Sequence, residues 1–487
     1  MSSDLKKKTI RGFGWSAFDN VAKTGVTFAV SIVLARMLSP DEYGLIGILT
    51  IFIIVFNSIV DSGFTQALIR KKNATDIDYS TIFYVNTCVS IAAMAVMFFL
   101  AKPIAYFFER PELVSLTRVM SVIIVINGLA LVQRTRMTQA IDFKTQTIIT
   151  FISTLTGGIT GIVLAYLGYG VWALVAQQIT TQGLNSVLLW GLGHWFPKLV
   201  FSTKSLSELW SFGWKLLVSS LIDTTWKEIY QVVVGKCYSP ATLGLYTRAK
   251  QFSQMFSSNM TNVISRVSYP VLSSIQDDKD RLKKAYQRLV RTTMLLSFVF
   301  MLGMAATAKS LIYVLIGEKW MGCVPLLQLI CFTGMLYPLH SLNLNILQVQ
   351  GRSDLFLKLE ILKKIIGCGP LMLGIFVNIY CMLIGSFVSS CIAFYLNSYY
   401  SGPFLGYSTK DQIKDILPSF GIAILMAVPV MAMSFIELSP FVLFPMQIVA
   451  GAIIVVVTCE ICKLPEYLEI KSIIFSKLKK NKEVKNI

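Results

Sequence analysis

LSPDEYGL at 38–45 and YSPATLGL at 238–245 decide the architecture. Each opens a long apolar run, and they lie about 200 residues apart. Phe13-Gly14-Trp15 ahead of one run and Phe212-Gly213-Trp214 ahead of another keep nearly the same offset. Glu109 and Glu318 fall in matching loops, and Leu167-Gly168-Tyr169 matches Asn378-Ile379-Tyr380, at offsets of about 210 residues. Small insertions in loops account for the drift. The chain therefore repeats a unit of six spans, and two units separated by an even number of spans face the same way. A pseudo-two-fold axis then runs along the membrane normal.

Apolar runs of roughly 20 residues are what a membrane helix needs, and they recur here with short interruptions. The 54% hydrophobic and 14% charged residues, with a mean hydropathy of +0.64, exclude an ordinary soluble domain. About fourteen spans are expected, with centres near Val26, Ile54, Ala92, Ile124, Thr156, Thr181, Leu221, Asn259, Phe298, Pro338, Gly369, Ser390, Leu425 and Ile453. The expected fold is an all-α integral membrane protein with two six-helix lobes in parallel repeat. Its divisions are a tail at 1–12, a lobe at 13–192, a linker at 193–208, a second lobe at 209–403, two extra helices at 404–464 and a basic tail at 465–487.

With the N-terminus inside, alternate loops gather most of the 44 lysines and arginines, among them Arg70 to Lys72, Lys279 to Lys284 and the tail. That bias predicts both termini on the cytoplasmic side of a cytoplasmic membrane. MSSDLKKKTIRGFGW at 1–15 lacks a short apolar region with a small-residue cleavage site and reads as a retained tail. The net charge of +18 raises nucleic-acid binding, but the positive residues sit beside membrane spans, where anionic headgroups account for them. Most of the nine cysteines lie within apolar runs. Cys459 and Cys462 lack the second pair or nearby histidines of a zinc site, so no metal and no other cofactor is expected. Loops such as 37–43 and 166–170 are too short for a catalytic module, and no Gly-rich loop with a following Lys-Ser/Thr is present, so an enzyme is not expected.

Several segments resemble Wzx-type polysaccharide flippases: SIVLARMLSPDEYGLIGI (31–48), VDSGFTQALIRKKNATDIDYSTIFYVN (60–86), LGYGVWALVAQQ (167–178), FGWKLLVSS (212–220), LGLYTRAKQF (243–252) and GRSDLFLKLEILKKI (351–365). That family is part of the multidrug/oligosaccharidyl-lipid/polysaccharide exporter superfamily. The resemblance implies an undecaprenyl-diphosphate-linked oligosaccharide as cargo, moved to the outer leaflet for O-antigen, capsule or exopolysaccharide. It also implies alternating access and, as partners, membrane lipids with a polysaccharide polymerase and chain-length machinery. First, second, seventh and eighth helices line the cleft in that superfamily.

A diphosphate and its sugars cannot enter hydrocarbon, so the residues expected to matter are ionisable groups inside spans. Asp19 and Lys23 share a helix face in the first span, as do Asp223 and Lys227 in the seventh. Arg248, Gln251, Ser258, Asn262 and Arg266 trace one stripe in the eighth. Arg248, Arg266, Lys23 and Lys227 are candidates for the diphosphate, because cations compensate it and an arginine fork donates two hydrogen bonds. Gln251 and Asn262, with the rings of Trp226 and Tyr230, are candidates for the sugar; Trp and Tyr also populate membrane interfaces. Asp19 and Asp223 are candidates for ion coupling, each with a lysine four residues on that would hold it ionised. Gly157 and Gly161 read as a helix-packing step. The rival is a cation-coupled multidrug antiporter of the same superfamily, with an acidic cleft; the cationic balance of the first, seventh and eighth spans opposes it.

Overall fold

The structure is a computed structural model, and it describes residues 24–71, 74–469 and 471–472, without the side chains of 263, 265–267, 269 and 353. All its regular elements among those residues are helices. Packing divides the chain into two compact units, Met1–Gly244 and Leu245–Ile487.

The first unit holds α1 (Thr24–Met37), α2 (Pro40–Asp61), α3 (Phe64–Arg70), α4 (Asp76–Phe108), α5 (Leu113–Met120), α6 (Val122–Gln139), α7 (Phe143–Tyr166), α8 (Val171–Gly193), α9 (Thr203–Cys237) and the start of α10 (Pro240–Ser273). The second holds the rest of α10, then α11 (Lys279–Ile316), α12 (Cys323–Gly334), α13 (Tyr337–Val349), α14 (Ser353–Phe376), α15 (Ile379–Tyr399), α16 (Ser401–Leu405), α17 (Thr409–Ala432) and α18 (Pro440–Ile461). Among the described residues, joining the short helices to their neighbours leaves fourteen helical segments, and each contains one of the expected span centres.

Both copies of the repeat motif are helix starts. Ser39 caps α2 in a reciprocal box with Glu42, and Pro40 occupies the first turn, where its missing N–H costs nothing. Ser239 repeats the cap on α10 by accepting from the Thr242 backbone N–H at 3.2 Å. The two starts also meet within the first unit. A Cβ on Gly44 would lie 1.8 Å from the Pro240 carbonyl oxygen, and one on Gly244 would lie 1.9 Å from that of Pro40. Each glycine thus admits the other copy's backbone, which any side chain would exclude.

Among the described residues nine helical stretches are long and apolar enough to cross a membrane. Of the other long helices, α8, α9, α10 and α14 fall short because of polar residues within them, such as Gln177, Gln178 and Gln182 on α8 or Lys215, Asp223 and Lys227 on α9. Length and spacing make them spans, while their polarity marks them as something more than packing. At the other extreme is α18, with a mean hydropathy of 2.4 over its most apolar window and only 17% of that window buried, as expected for a helix facing lipid.

Small residues set the closest helix packing. A Cβ on Gly157 would come within 2.0 Å of Thr181 Oγ1 and one on Gly161 within 2.9 Å of Gln177 Cβ, so the two glycines seat α7 against α8. Stretch 193–208 packs on α4: Trp195 is buried against Tyr79 and Phe83, and Arg136 lies 5.2 Å from the Tyr79 ring centroid and 5.0 Å from that of Trp195. Lys71 bonds Asp78 and Glu208, each at 3.0 Å. Burial works against its charge, but the two carboxylates hold its ammonium above the usual lysine range.

In the second unit a buried polar chain fastens α17 to the bundle. Tyr286 on α11 donates to Asn343 on α13 at 3.0 Å, Asn343 exchanges bonds with Gln412 on α17 at 3.1 Å, and Gln412 donates to Ser401 at 2.7 Å. Tyr407 ends the chain on Asp415 at 2.8 Å. Burial, with the Asp415 carboxylate beside it, pushes the Tyr407 hydroxyl above its ordinary range. Every one of these links would cost about 1–3 kcal/mol if its partner were removed and the group left buried.

Candidate functional site

Within the first unit α9 lies along α2, with Ser58 3.4 Å from Thr224 and a Cβ on Gly213 placed 2.9 Å from the Ser62 carbonyl oxygen. Asp223 and Lys227 stand exposed on the same helix, 52% and 63% accessible, and bridge each other at 2.6 Å. Trp226 and Tyr230 are half-buried beside this pair, and Glu228 accepts a bond from Gln231. Asp19 and Lys23 lie outside the described residues.

The part of α10 in the second unit has two kinds of polar residue. Gln251, Gln254, Asn259 and Asn262 are exposed. Arg248 is 4% accessible: it donates to Gln251 Oε1 at 2.6 Å, and its guanidinium lies 5.6 Å from the centroid of the Trp320 ring. The Arg248 cation therefore sits under an aromatic cover and is linked to the exposed stripe through Gln251. That arrangement holds a positive charge near the helix start without lining the surface directly. Arg266 is on the same helix, and its side chain lies outside the described residues.

Arg134 belongs to α6, where its Nη2 donates to Asn185 Oδ1 on α8 at 2.8 Å. Two turns earlier on α6, Asn127 donates to Asn57 on α2 at 3.3 Å. The seven-residue step from Asn127 to Arg134 puts both on one face, a signal available in the sequence. Against the apolar wall of α10, a groove of about 520 Å³ opens between α10 and α11, lined by Met255, Phe256, Met260 and Phe300 among others. Asn259, one of the exposed amides, lines the same groove.

A charged or amide group inside a membrane span is expensive unless it meets water, a partner or a polar ligand. Exposed amides along a spanning helix, with cations held close by, suit a hydrated anionic solute with many hydroxyls.

A model of the family described as polysaccharide biosynthesis protein matches residues 33–325. The lipopolysaccharide biosynthesis protein WzxC of Escherichia coli (strain K12) is 24% identical over 376 residues, 76% of this chain and 76% of that protein. The succinoglycan biosynthesis transport protein ExoT of Rhizobium meliloti (strain 1021) is 25% identical over 340 residues, 69% of each. Among solved structures, the lipid II flippase MurJ in an inward closed conformation superposes with a TM-score of 0.73 at 14% identity, covering 93% of this chain and 98% of that one. At that identity the likeness speaks for the fold.

Proposed function

We propose that this chain, which belongs to the polysaccharide biosynthesis protein family, moves undecaprenyl-diphosphate-linked oligosaccharide units from the inner to the outer leaflet of a bacterial cytoplasmic membrane. The observation that carries the reading is the exposed amide stripe Gln251, Gln254, Asn259 and Asn262 on a helix of membrane-spanning length. Hydroxyl-rich cargo needs such donors and acceptors to leave water, while its prenyl chain stays in hydrocarbon. The relatives' names support surface-polysaccharide precursors as the cargo class.

The work is transport by alternating access, with no bond made or broken and no cofactor. Both termini lie in the cytoplasm in this reading, as the loop charges require. Within the first unit, Lys227 with Lys23 meets the diphosphate, and Trp226 and Tyr230 meet sugar rings. Within the second, Arg266 and, once a rearrangement of the bundle uncovers it from Trp320, Arg248 serve the diphosphate as successive stations. They are 18 residues apart, about 27 Å at ~1.5 Å per residue, too far to share one headgroup. Gln251 and Asn262 hydrogen-bond the sugars. Released cargo passes to a polymerase and chain-length machinery.

The test is surface polysaccharide in a strain that depends on this protein. Depletion should abolish surface polymer and leave the lipid-linked precursor accumulating on the inner leaflet, out of reach of an externally added glycosidase. Normal surface polymer on depletion would refute the reading.

A further inference from the structure

Many cations of the first unit are taken up by the protein itself. Lys71 is bonded to Asp78 and Glu208, Lys198 to Asp76, Lys227 to Asp223 and Lys236 to Glu109. Arg70 lies over the ring of Phe212, Arg118 over that of Phe98, and Arg136 over those of Tyr79 and Trp195. Arg134 differs from all of these. Its guanidinium meets a neutral amide, Asn185 Oδ1 at 2.8 Å, and neither a carboxylate nor a ring among the described residues.

The placement is not that of a side chain reaching out to headgroups. Arg134 lies five residues before the end of α6 at Gln139, roughly 7–8 Å inside it at ~1.5 Å per residue. Helical side chains lean toward the N-terminus, which on α6 is away from that nearer end. Asn185 is only 8% accessible and holds one edge of the guanidinium against α8. Arg134 is nevertheless exposed, and its other N–H groups have no partner among the described residues. A planar fork of donors, oriented by a buried amide and carrying a charge without a counter-ion, is half of an anion site. An uncompensated cation within a span is costly, and an anion docked on it removes that cost. Phosphate oxygens match the fork in pairs, which the compact ammonium of a lysine does not achieve.

Polar neighbours extend the site into the span. On α8, the half-buried Gln178 and Gln182 share the face of Asn185, seven and three residues before it. On α6, Asn127 shares the face of Arg134 about 10 Å further from the Gln139 end and bonds Asn57 of α2. Because α2, α6 and α8 pack on one another, the cation and the amides form one polar seam within the first unit.

We propose that Arg134 is the first contact for the diphosphate of a lipid-linked cargo arriving from the cytoplasmic side, with Asn185 as its positioning residue. Assigning the anion to cargo rests on the transport reading, in which the loop charges put the Gln139 end of α6 on that side; the phosphate site itself does not.

The probe is farnesyl diphosphate, titrated calorimetrically into the full chain in nanodiscs of phosphatidylcholine alone. Arg134→Gln should weaken binding roughly tenfold or more, the worth of hydrogen bonds to a charged group, and Arg134→Lys should lie between. Asn185→Leu should weaken it roughly two- to tenfold and add nothing in the Arg134→Gln background, a non-additivity that a merely structural Asn185 would not show. Lys204→Gln, at an exposed cation in the first turn of α9, should bind as the wild type does. Wild-type affinity from Arg134→Gln would overturn the proposal; if that variant does not fold, wild-type affinity from Asn185→Leu would overturn it equally. The gap between the wild type and Arg134→Gln should persist when phosphatidylglycerol is added to the disc. A gap that closes would give the site to a phospholipid headgroup and overturn the cargo contact. Arg134-dependent binding in a protein whose depletion leaves surface polymer normal would overturn the transport reading and leave the phosphate site standing.

Discussion

α2 and α10 begin on the same motif and then diverge within a single turn. The offset of 200 that lays Gly44 on Gly244 lays Ile48 on Arg248, Ile51 on Gln251 and Ile54 on Gln254. Ile48 is fully buried, and Arg248 is 4% accessible, so one packing position holds an isoleucine in one copy and an arginine in the other. The helix starts, their serine caps and the glycine contacts are shared. The two copies thus share the backbone geometry that starts the helix, while polar residues line only one of them. The apolar α2 passes as an ordinary span with a mean hydropathy of 2.3, and α10 does not. Shape and function are consequently carried by different residues of the same motif.

The shared part of the comparison breaks first. Gly44→Val and Gly244→Val each drive a side chain into the opposing backbone, where no rotamer relieves the overlap. Each should destabilise by at least the ~1–3 kcal/mol of ordinary overpacking. Loss of the monodisperse peak of the protein in detergent, to a similar degree for both, would express the symmetry. A large effect at one position alone would break it.

The divergent part is sharpened by exchanging residues between the copies. Arg248→Ile installs the counterpart residue, gives up the contacts to Trp320 and Gln251, and removes a buried charge whose desolvation is costly. Thermal unfolding should therefore move little. Surface polymer at matched protein levels should fall roughly tenfold or more, the worth of ~1.5–3 kcal/mol for a charge-assisted bond. Arg248→Lys should lie between. Wild-type polymer from a stable Arg248→Ile protein would reduce Arg248 to packing.

Gln251→Ala and Asn262→Ala remove uncharged bonds of about 0.5–1.5 kcal/mol, so each should lower output by roughly two- to tenfold with unfolding unchanged. Ile51→Ala on α2 supplies the contrast. Ile51 is 4% accessible, and its loss should appear in thermal stability first, by about 2–5 kcal/mol.

The smallest effect is expected where α4 and α9 end. Lys236 bonds Glu109 at 2.8 Å, and its ammonium holds the Glu109 carboxyl below the usual range. A folded value below the unfolded one contributes stability above the ordinary carboxylate pKa, and the contribution fades as pH falls through the lower folded value. The carboxylate is 80% accessible, so solvent screens the pair. Lys236→Met should remove a slight acid-side loss of melting temperature. An unchanged pH profile in that variant would show that the pair contributes nothing.

Much of the fold was legible because membrane spans are written locally, in runs of apolar residues and in the basic loops between them. Every expected centre, from Val26 to Ile453, lies in a helix. The salt bridge of Asp223 with Lys227 was equally legible, as a four-residue step on one helix. Arg248 shows where this stops. Its stripe with Gln251 was readable from spacing, but its cover, Trp320, lies 72 positions away in the chain and announces nothing locally. Arg134 and Asn185 are 51 apart and likewise meet only through the packing of α6 on α8.

The most direct test of the transport account is flipping in vesicles reconstituted with the purified protein alone. Undecaprenyl-diphosphate-linked oligosaccharide with a labelled sugar would be placed in the inner leaflet, and its arrival outside followed by an external glycosidase. The account predicts protein-dependent exposure of the label, slowed by excess free undecaprenyl-diphosphate-linked sugar and indifferent to a lipophilic drug cation. No exposure above protein-free vesicles, together with uptake of the drug cation against its gradient, would contradict it.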